Sequence, residues 1–281
     1  MSRPIAAFDH LLVGVAELEA ARRTWERLGF TACPRGRHIG WGTANYCLMF
    51  ENDYVELLGI VDPEQFTNNL DRFLEERGEG LLAAAFRSAD IDATAEELRR
   101  RGLGVDGPHD LARIIEHPEG ERRPRFRLIH LDADDRPGLL AFVCQHLTPE
   151  MVWQPAWTWH RNGARRITRL VAVVEEVGSP AVAAAGWFGE DRVSVADGGV
   201  TVEAAGLRLE LLTPAAAGAR YGARLPWGPR PGPLGFTVAV KDLEACEAVL
   251  EAGGVASQRL GASLRVPPSQ ASGVLLEFEQ G

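Results

Sequence analysis

Residues 13–30 read VGVAELEAARRTWERLGF, and residues 238–255 read VAVKDLEACEAVLEAGGV. At a constant offset, Val13, Val15, Leu18, Glu19, Ala20, Glu26 and Gly29 meet Val238, Val240, Leu243, Glu244, Ala245, Glu251 and Gly254. Each copy is a short apolar strand, an acidic turn and an amphipathic helix that stops at glycine. A repeated strand–helix unit of this size restricts the chain to a modular architecture, because one unit cannot bury its own apolar face.

The rest of the chain can be read in the same unit. Phe8–Val15 is apolar and β-branched, as a strand should be. Leu18, Ala21, Trp25 and Leu28 then recur at three- and four-residue spacing over Glu17–Leu28, which predicts a helix. An Arg- and Gly-rich loop (Pro34–Gly42) leads to strands at Asn45–Phe50 and Tyr54–Ile60, turning at Glu51-Asn52-Asp53. A second unit starts at Leu81–Arg87, with a helix over Ala89–Arg101 and strands near Leu111–Ile115, Arg125–Leu131 and Leu139–Gln145. Gln65–Arg77 reads as a connecting helix. A third unit starts at Ile167–Val174, with a helix from Pro180 to Trp187. The fourth starts at Phe236–Val240, with a helix over Leu243–Ala252. The order β-α-β-β-β therefore occurs four times. The expected fold is α+β: four βαβββ modules paired into two curved mixed sheets with helices on the outside. The expected divisions are 1–147, a Trp- and Pro-rich connecting arm at 148–166, and 167–281. A second Gly-, Pro- and Ala-rich stretch, Ala215–Pro233, separates units three and four.

Composition narrows the function. A net charge of -9 over 281 residues argues against a nucleic-acid backbone partner, which needs a basic face. No run of about 18 apolar residues exists to span a membrane. Cys33, Cys47, Cys144 and Cys246 are scattered without a CxxC pair, as expected for reduced thiols in a cytoplasmic protein. Nothing matches a P-loop, a dinucleotide-binding fingerprint or a nucleophile elbow. The expected partner is a small molecule, with a homodimer compatible.

FDHLLVGVAELEAARRTWERLGF (8–30), YVELLG (54–59) and the His-x-Gly-x-Gly-Thr-x-Asn run inside RHIGWGTANYCLMFENDYVELL (37–58) resemble the vicinal oxygen chelate superfamily. The superfamily includes glyoxalase I, extradiol dioxygenases and fosfomycin- and bleomycin-resistance proteins; the similarity is to its glyoxalase-like domain branch. The resemblance implies that two βαβββ units cup a divalent metal (Zn, Fe, Mn or Ni), with ligands from the first and last strands of each unit. Residues two apart on a strand face the same side, so a ring of strands can aim several ligands into one concavity.

At the implied ligand positions the units differ. The first strand offers His10 in unit one, Ala83 in unit two, Arg169 in unit three and Gly235 in unit four. The last strand offers Glu56, Gln145, Glu210 and Glu277. His10, Glu56 and Gln145 are therefore the expected metal set. His146 is the out-of-register alternative to Gln145, and Glu277 is the alternative if units pair out of order. Glu210 and Glu277 otherwise read as ion-paired or solvent-facing residues of a scaffold half. Glu56 and His38 are the candidate acid/base groups. Trp41 and Asn45, in the Gly-rich run, are candidate substrate contacts. Arg125 and Arg127 share a strand face and could grip an anion, or form a solvated face; Arg113 lies on a neighbouring strand. The aromatic arm around Trp157 and His160 reads as packing across the sheet, with a lid over the pocket as the other reading.

The implied function is a glyoxalase-like, metal-dependent enzyme acting on a small oxygen-rich or carbonyl substrate by isomerase, lyase or dioxygenase chemistry. The alternative is a non-catalytic small-molecule binding or resistance protein of the same fold.

Overall fold

The computed structural model describes residues 4–196, 198–222 and 231–281. The first unit is β1 (Ala7–Val15), α1 (Leu18–Arg27), β2 (Gly36–His38), β3 (Thr43–Met49) and β4 (Tyr54–Ile60). A short helix, α2 (Leu70–Arg77), leads to the second unit: β5 (Gly80–Arg87), α3 (Ile91–Arg100), β6 (Val105–Ile115), β7 (Arg125–Leu131) and β8 (Ala141–His146). The third is β9 (Ala164–Val173), α4 (Gly178–Phe188), β10 (Val193–Ala196), β11 (Gly199–Ala204) and β12 (Leu207–Leu212). After α5 (Pro214–Tyr221) comes the fourth: β13 (Gly232–Val240), α6 (Leu243–Ala252), β14 (Gln258–Leu260), β15 (Ser263–Val266) and β16 (Leu275–Gln280). The fold is the expected set of four βαβββ modules in two curved mixed sheets. Helix α5 falls inside the stretch expected to be an irregular separator; residues 223–230 of that stretch lie outside the described residues.

The repeated residues do similar work in each copy. Leu18, Ala21 and Trp25 are the buried stripe of α1, and Leu243, Cys246 and Leu250 that of α6. The copies part at their first turns. Asp242 caps α6 by accepting from the Glu244 and Ala245 N–H groups, whereas Glu17 makes no side-chain cap. A cap of this kind contributes ~1 kcal/mol.

Modules pair in sequence order. β1 runs antiparallel to β5, and β9 to β13. The first sheet has the order β1-β4-β3-β2-β6-β7-β8-β5 and closes into a barrel. The second, β10-β11-β12-β9-β13-β16-β15-β14, stays open. What closes the first is β2, three residues in the Pro34–Gly42 stretch read as a loop, which pairs with both β3 and β6. The helices cover the backs of the sheets, and the backs face each other. Trp25 of α1 stacks on Phe236 of β13 with centroids 6.2 Å apart, and Trp187 of α4 meets Phe86 of β5 edge-on at 5.7 Å. One apolar core therefore runs through both halves.

The barrel interior is divided. At one end Cys33, Cys47, Met49, Tyr54, Phe126 and Cys144 fill it, closed by Val152 and Trp157 of the connecting arm. At the other end it opens into a cavity of about 470 Å³. The arm is thus packing, as its aromatic content suggested. His160 accepts from the Thr31 N–H through Nδ1 (2.9 Å) and donates to the Met49 carbonyl through Nε2 (2.8 Å). Burial pushes its pKa down to about 4. It is a neutral core histidine with no place at the cavity.

Candidate active site

Strand alternation decides what reaches the cavity. On β1, His10 and Leu12 point in; on β4, Tyr54, Glu56 and Leu58; on β2, His38; on β6, Leu111 and Arg113; on β7, Phe126, Leu128 and His130; on β8, Phe142 and Cys144. Glu56 is at the centre of the polar cluster. Its Oε2 lies 3.7 Å from His10 Nε2 and its Oε1 3.9 Å from His38 Nε2. Asn45 donates to Oε1 at 2.5 Å. Burial would raise the Glu56 pKa, but His38, His10, Arg113 and the Asn45 hydrogen bond outweigh it and hold the carboxyl below its usual range. Burial lowers the His38 pKa. At neutral pH the pair is carboxylate and neutral imidazole.

Both imidazoles are held from behind. His10 Nδ1 is 2.6 Å from Asp9 Oδ1, and the ring stacks on Tyr54 at 4.3 Å. His38 Nδ1 is 2.9 Å from Thr43 Oγ1. Asp9 is itself fully buried. Its Oδ1 also meets His146 Nε2 at 3.0 Å, and its Oδ2 accepts from Arg87 Nε at 2.7 Å. Although burial opposes ionisation, His146 and His10 hold the Asp9 pKa well below the ordinary carboxylate value.

Residues 8–188, well over half of the chain, match the family model described as "Glyoxalase-like domain". The chain belongs to the glyoxalase-like domain family. It shares the vicinal oxygen chelate fold with solved structures at low identity. A hypothetical protein from Staphylococcus aureus aligns at 13% identity and TM-score 0.70, covering 98% of this chain and 99% of that one. A mutant of 4-hydroxymandelate synthase from Streptomyces coelicolor aligns at 12% identity and TM-score 0.63, covering 99% and 93%. A xylose isomerase-like TIM barrel/4-hydroxyphenylpyruvate dioxygenase fusion protein aligns at 15% identity and TM-score 0.59, covering 99% of this chain and 50% of that one. Among curated proteins, none is a significant match.

In this glyoxalase-like chain, three of the expected site residues meet: His10, Glu56 and His38. Trp41 is beside them on the cavity wall, 5.2 Å from the His38 ring and 5.1 Å from Phe66. Asn45 is adjacent, but its amide is committed to Glu56. Three expectations need correction. Gln145 faces away from the barrel: its Oε1 accepts from the Ile91 N–H and its Nε2 donates to the Ala89 carbonyl, at the start of α3. The inward residues of β8 are Phe142, Cys144 and His146, so the out-of-register alternative describes the strand. Arg125 and Arg127 are on the outer side of β7, opposite in parity to Phe126 and Leu128. Arg127 is bonded to Asp92 at 2.5 and 3.0 Å, and Arg125 is exposed. Glu277 sits in the other sheet, bonded to Arg265 at 2.8 Å.

Two groups of side chains have metal-binding chemistry. Asp9, Cys144 and His146 have ligand atoms all within 4.8 Å of one another, the tightest such trio among the described residues. Both oxygens of Asp9 are already engaged there by three donors, and burial raises the Cys144 pKa well above its usual value, keeping a neutral thiol. The second group is His10, His38 and Glu56. Its imidazole Nε2 atoms approach the carboxylate at distances too long for hydrogen bonds, and each ring has its other nitrogen fixed by an oxygen. Two histidines and a carboxylate are a donor set of the type that divalent ions use, though its ligand atoms lie farther apart than those of the first trio. The chemistry of this donor set fits the metal that the family implies.

Of the three arginines named on the strands of the second unit, Arg113 is the one that points into the barrel. It is 4% exposed and lines the cavity. Its Nη1 donates to Cys47 Sγ at 3.0 Å, Phe126 lies under the guanidinium at 5.6 Å, and its Nε has no partner.

Proposed function

We propose that the protein is a metal-dependent enzyme acting on a small oxygen-rich or carbonyl substrate in the cavity of the first barrel. The observation that carries this reading is the set of His10, His38 and Glu56, three ligand-type side chains on one cavity, with each imidazole Nε2 within 4 Å of a Glu56 oxygen and its orienting partner in place. A divalent ion held by these residues supplies Lewis-acid polarisation of a substrate oxygen. The chain's own residues supply the rest. Asp9 and Thr43 hold the two imidazoles with Nε2 toward the cavity. Asn45 fixes one carboxylate oxygen of Glu56, and the other, where it binds the ion only loosely, can accept a proton from the substrate. Leu58, Leu111, Leu128 and Phe142 form apolar walls that exclude water and strengthen the polar contacts.

The reaction class is isomerase, lyase or dioxygenase, the last being the chemistry named for one protein of similar fold, the 4-hydroxyphenylpyruvate dioxygenase fusion. The alternative reading, a binding protein that sequesters a small molecule, draws on the second module, where Ala83 and Gln145 contribute no ligand to the cavity.

Metal analysis of the purified chain tests the proposal. One equivalent of divalent metal is expected, with His10→Ala and Glu56→Gln each lowering metal affinity by a factor of ten or more, within the range seen when ligand shells are disturbed. Cys144→Ala should leave the stoichiometry unchanged. Loss of metal in Cys144→Ala but not in Glu56→Gln would move the centre to Asp9, Cys144 and His146. A protein that takes up no metal and still binds small molecules would be a binding protein.

A further inference from the structure

Arg113 is a buried cation with no salt bridge among the described residues; the Glu56 carboxylate acts on it only from a longer distance. No carboxylate of the described residues comes within 4.0 Å of it, and its hydrogen-bond acceptor is the sulfur of Cys47. That sulfur is a buried thiol, a weak acceptor that carries no negative charge at neutral pH. A guanidinium stays protonated in any protein environment, so it cannot escape its desolvation cost by losing a proton. An unpaired buried ion costs several kcal/mol unless something compensates it.

The second sheet shows how this chain otherwise treats such a group. Arg169 occupies the unit-three position that corresponds to His10. Its nitrogens lie 3.5 Å from Glu210, 3.8 Å from Glu277 and 3.5 Å from Glu279. Arg220 and Arg265 are paired to Glu210 and Glu277 in turn. Arg87, near the closed end of the barrel, has Asp9. Arg113 differs from all of these in lining an open cavity.

We propose that the substrate carries one carboxylate, bound by Arg113, with an apolar body against Leu111, Phe126, Leu128 and Phe142. The proposal rests on the reading of this cavity as the active site and adds the class of substrate: a small organic monoacid. A planar guanidinium matches a carboxylate in a two-point hydrogen bond. Arg72, Arg77 and Arg136 also line the cavity, the first two exposed and the third half-buried, so Arg113 is its buried guanidinium, and the negative charge of Glu56 in the same cavity disfavours a second one on the ligand. The apolar residues on β6, β7 and β8 supply the non-polar surface that a body of this kind would cover.

The test uses acids and their uncharged amides of equal shape: isovalerate with isovaleramide, phenylacetate with phenylacetamide, and indole-3-acetate with its amide. Binding is measured by calorimetry to the full chain, metal-loaded and chelator-treated, at fixed ionic strength. The expected result is an acid preference of about tenfold or more in at least one pair, present with and without metal. Arg113→Met should abolish it, and Arg113→Lys should keep part of it. Equal binding of acid and amide in every pair overturns the proposal, as does a preference that survives Arg113→Met. The wild-type comparison and Arg113→Lys remain decisive should Arg113→Met fail to fold. A preference that disappears on chelation and survives in Arg113→Met puts the carboxylate on the metal, overturning this inference while supporting the metal reading. A preference that needs Arg113 in a chain that takes up no metal does the reverse.

Discussion

Glu56 shows how a single buried carboxylate is made useful. Left alone in this barrel it would take up a proton; two imidazoles, a guanidinium and an amide keep it ionised. Asn45 is the partner that sets its orientation, and Asn45 depends on a glycine. Gly36 faces Asn45 across β2 and β3, and a Cβ added at Gly36 would stand 2.1 Å from Asn45 Oδ1. Gly36→Ala should therefore push the amide off Glu56. The expected outcome is a fold that survives, a stability loss of about 1–3 kcal/mol in urea denaturation, and weaker metal binding by calorimetry. Unchanged metal affinity would mean that Asn45 does not orient the carboxylate. His10 and Glu56 could be read from the sequence because each has a register-matched position in the other modules. Gln145, Arg125 and Arg127 were placed on the correct strands with the wrong parity. A strand turns successive side chains to opposite faces, so a one-residue error moves a residue from cavity to solvent.

Among elements, β2 carries more of the site than its length suggests. Three residues with no hydrophobic period give no strand signal, yet they close the barrel and bring His38 opposite Glu56. The second sheet, built from the same module, stays open and is neutralised by Arg169, Arg220 and Arg265. Two consequences can be measured. Metal should load at one equivalent per chain, with Glu210→Gln and Glu277→Gln leaving that number unchanged while Glu56→Gln reduces it. Arg169→Met should cost about 1–3 kcal/mol in chemical denaturation, because Glu210 and Glu277 lose part of their compensation. A second equivalent of metal that depends on Glu210 would contradict the assignment of this half as scaffold.

At the scale of the whole molecule, the two halves share one core, and a buried acid lies across their junction. Asp53 accepts from the Ile167 N–H of β9 at 3.0 Å. Burial raises its pKa to about 7, against the pull of the Ile167 N–H and Arg87. Its unfolded value is about 3.9. A raised folded-state pKa means that the folded protein binds the proton more tightly. The associated stability is fully present below about pH 4 and is lost as pH rises through the folded value. Wild type should therefore lose on the order of 3 kcal/mol relative to Asp53→Asn between pH 4 and pH 8. Parallel denaturation profiles for the two proteins over that range would refute the account. Trp25 on Phe236 and Trp187 on Phe86 imply a single cooperative unfolding transition.

The sequence by itself determined the module, its fourfold recurrence and the asymmetry between halves, because periodicity and repeat register are local properties that need no partner. It also singled out His10 and Glu56. The tertiary structure alone decided that modules pair in order, that β2 closes the first barrel, and that Cys144 and His146 point inward on β8 while Gln145 faces outward. It alone showed Asp9 behind His10 and Arg113 without a salt bridge. These depend on which distant strands become neighbours, and charge compensation is a sum over such neighbours that no stretch of sequence contains.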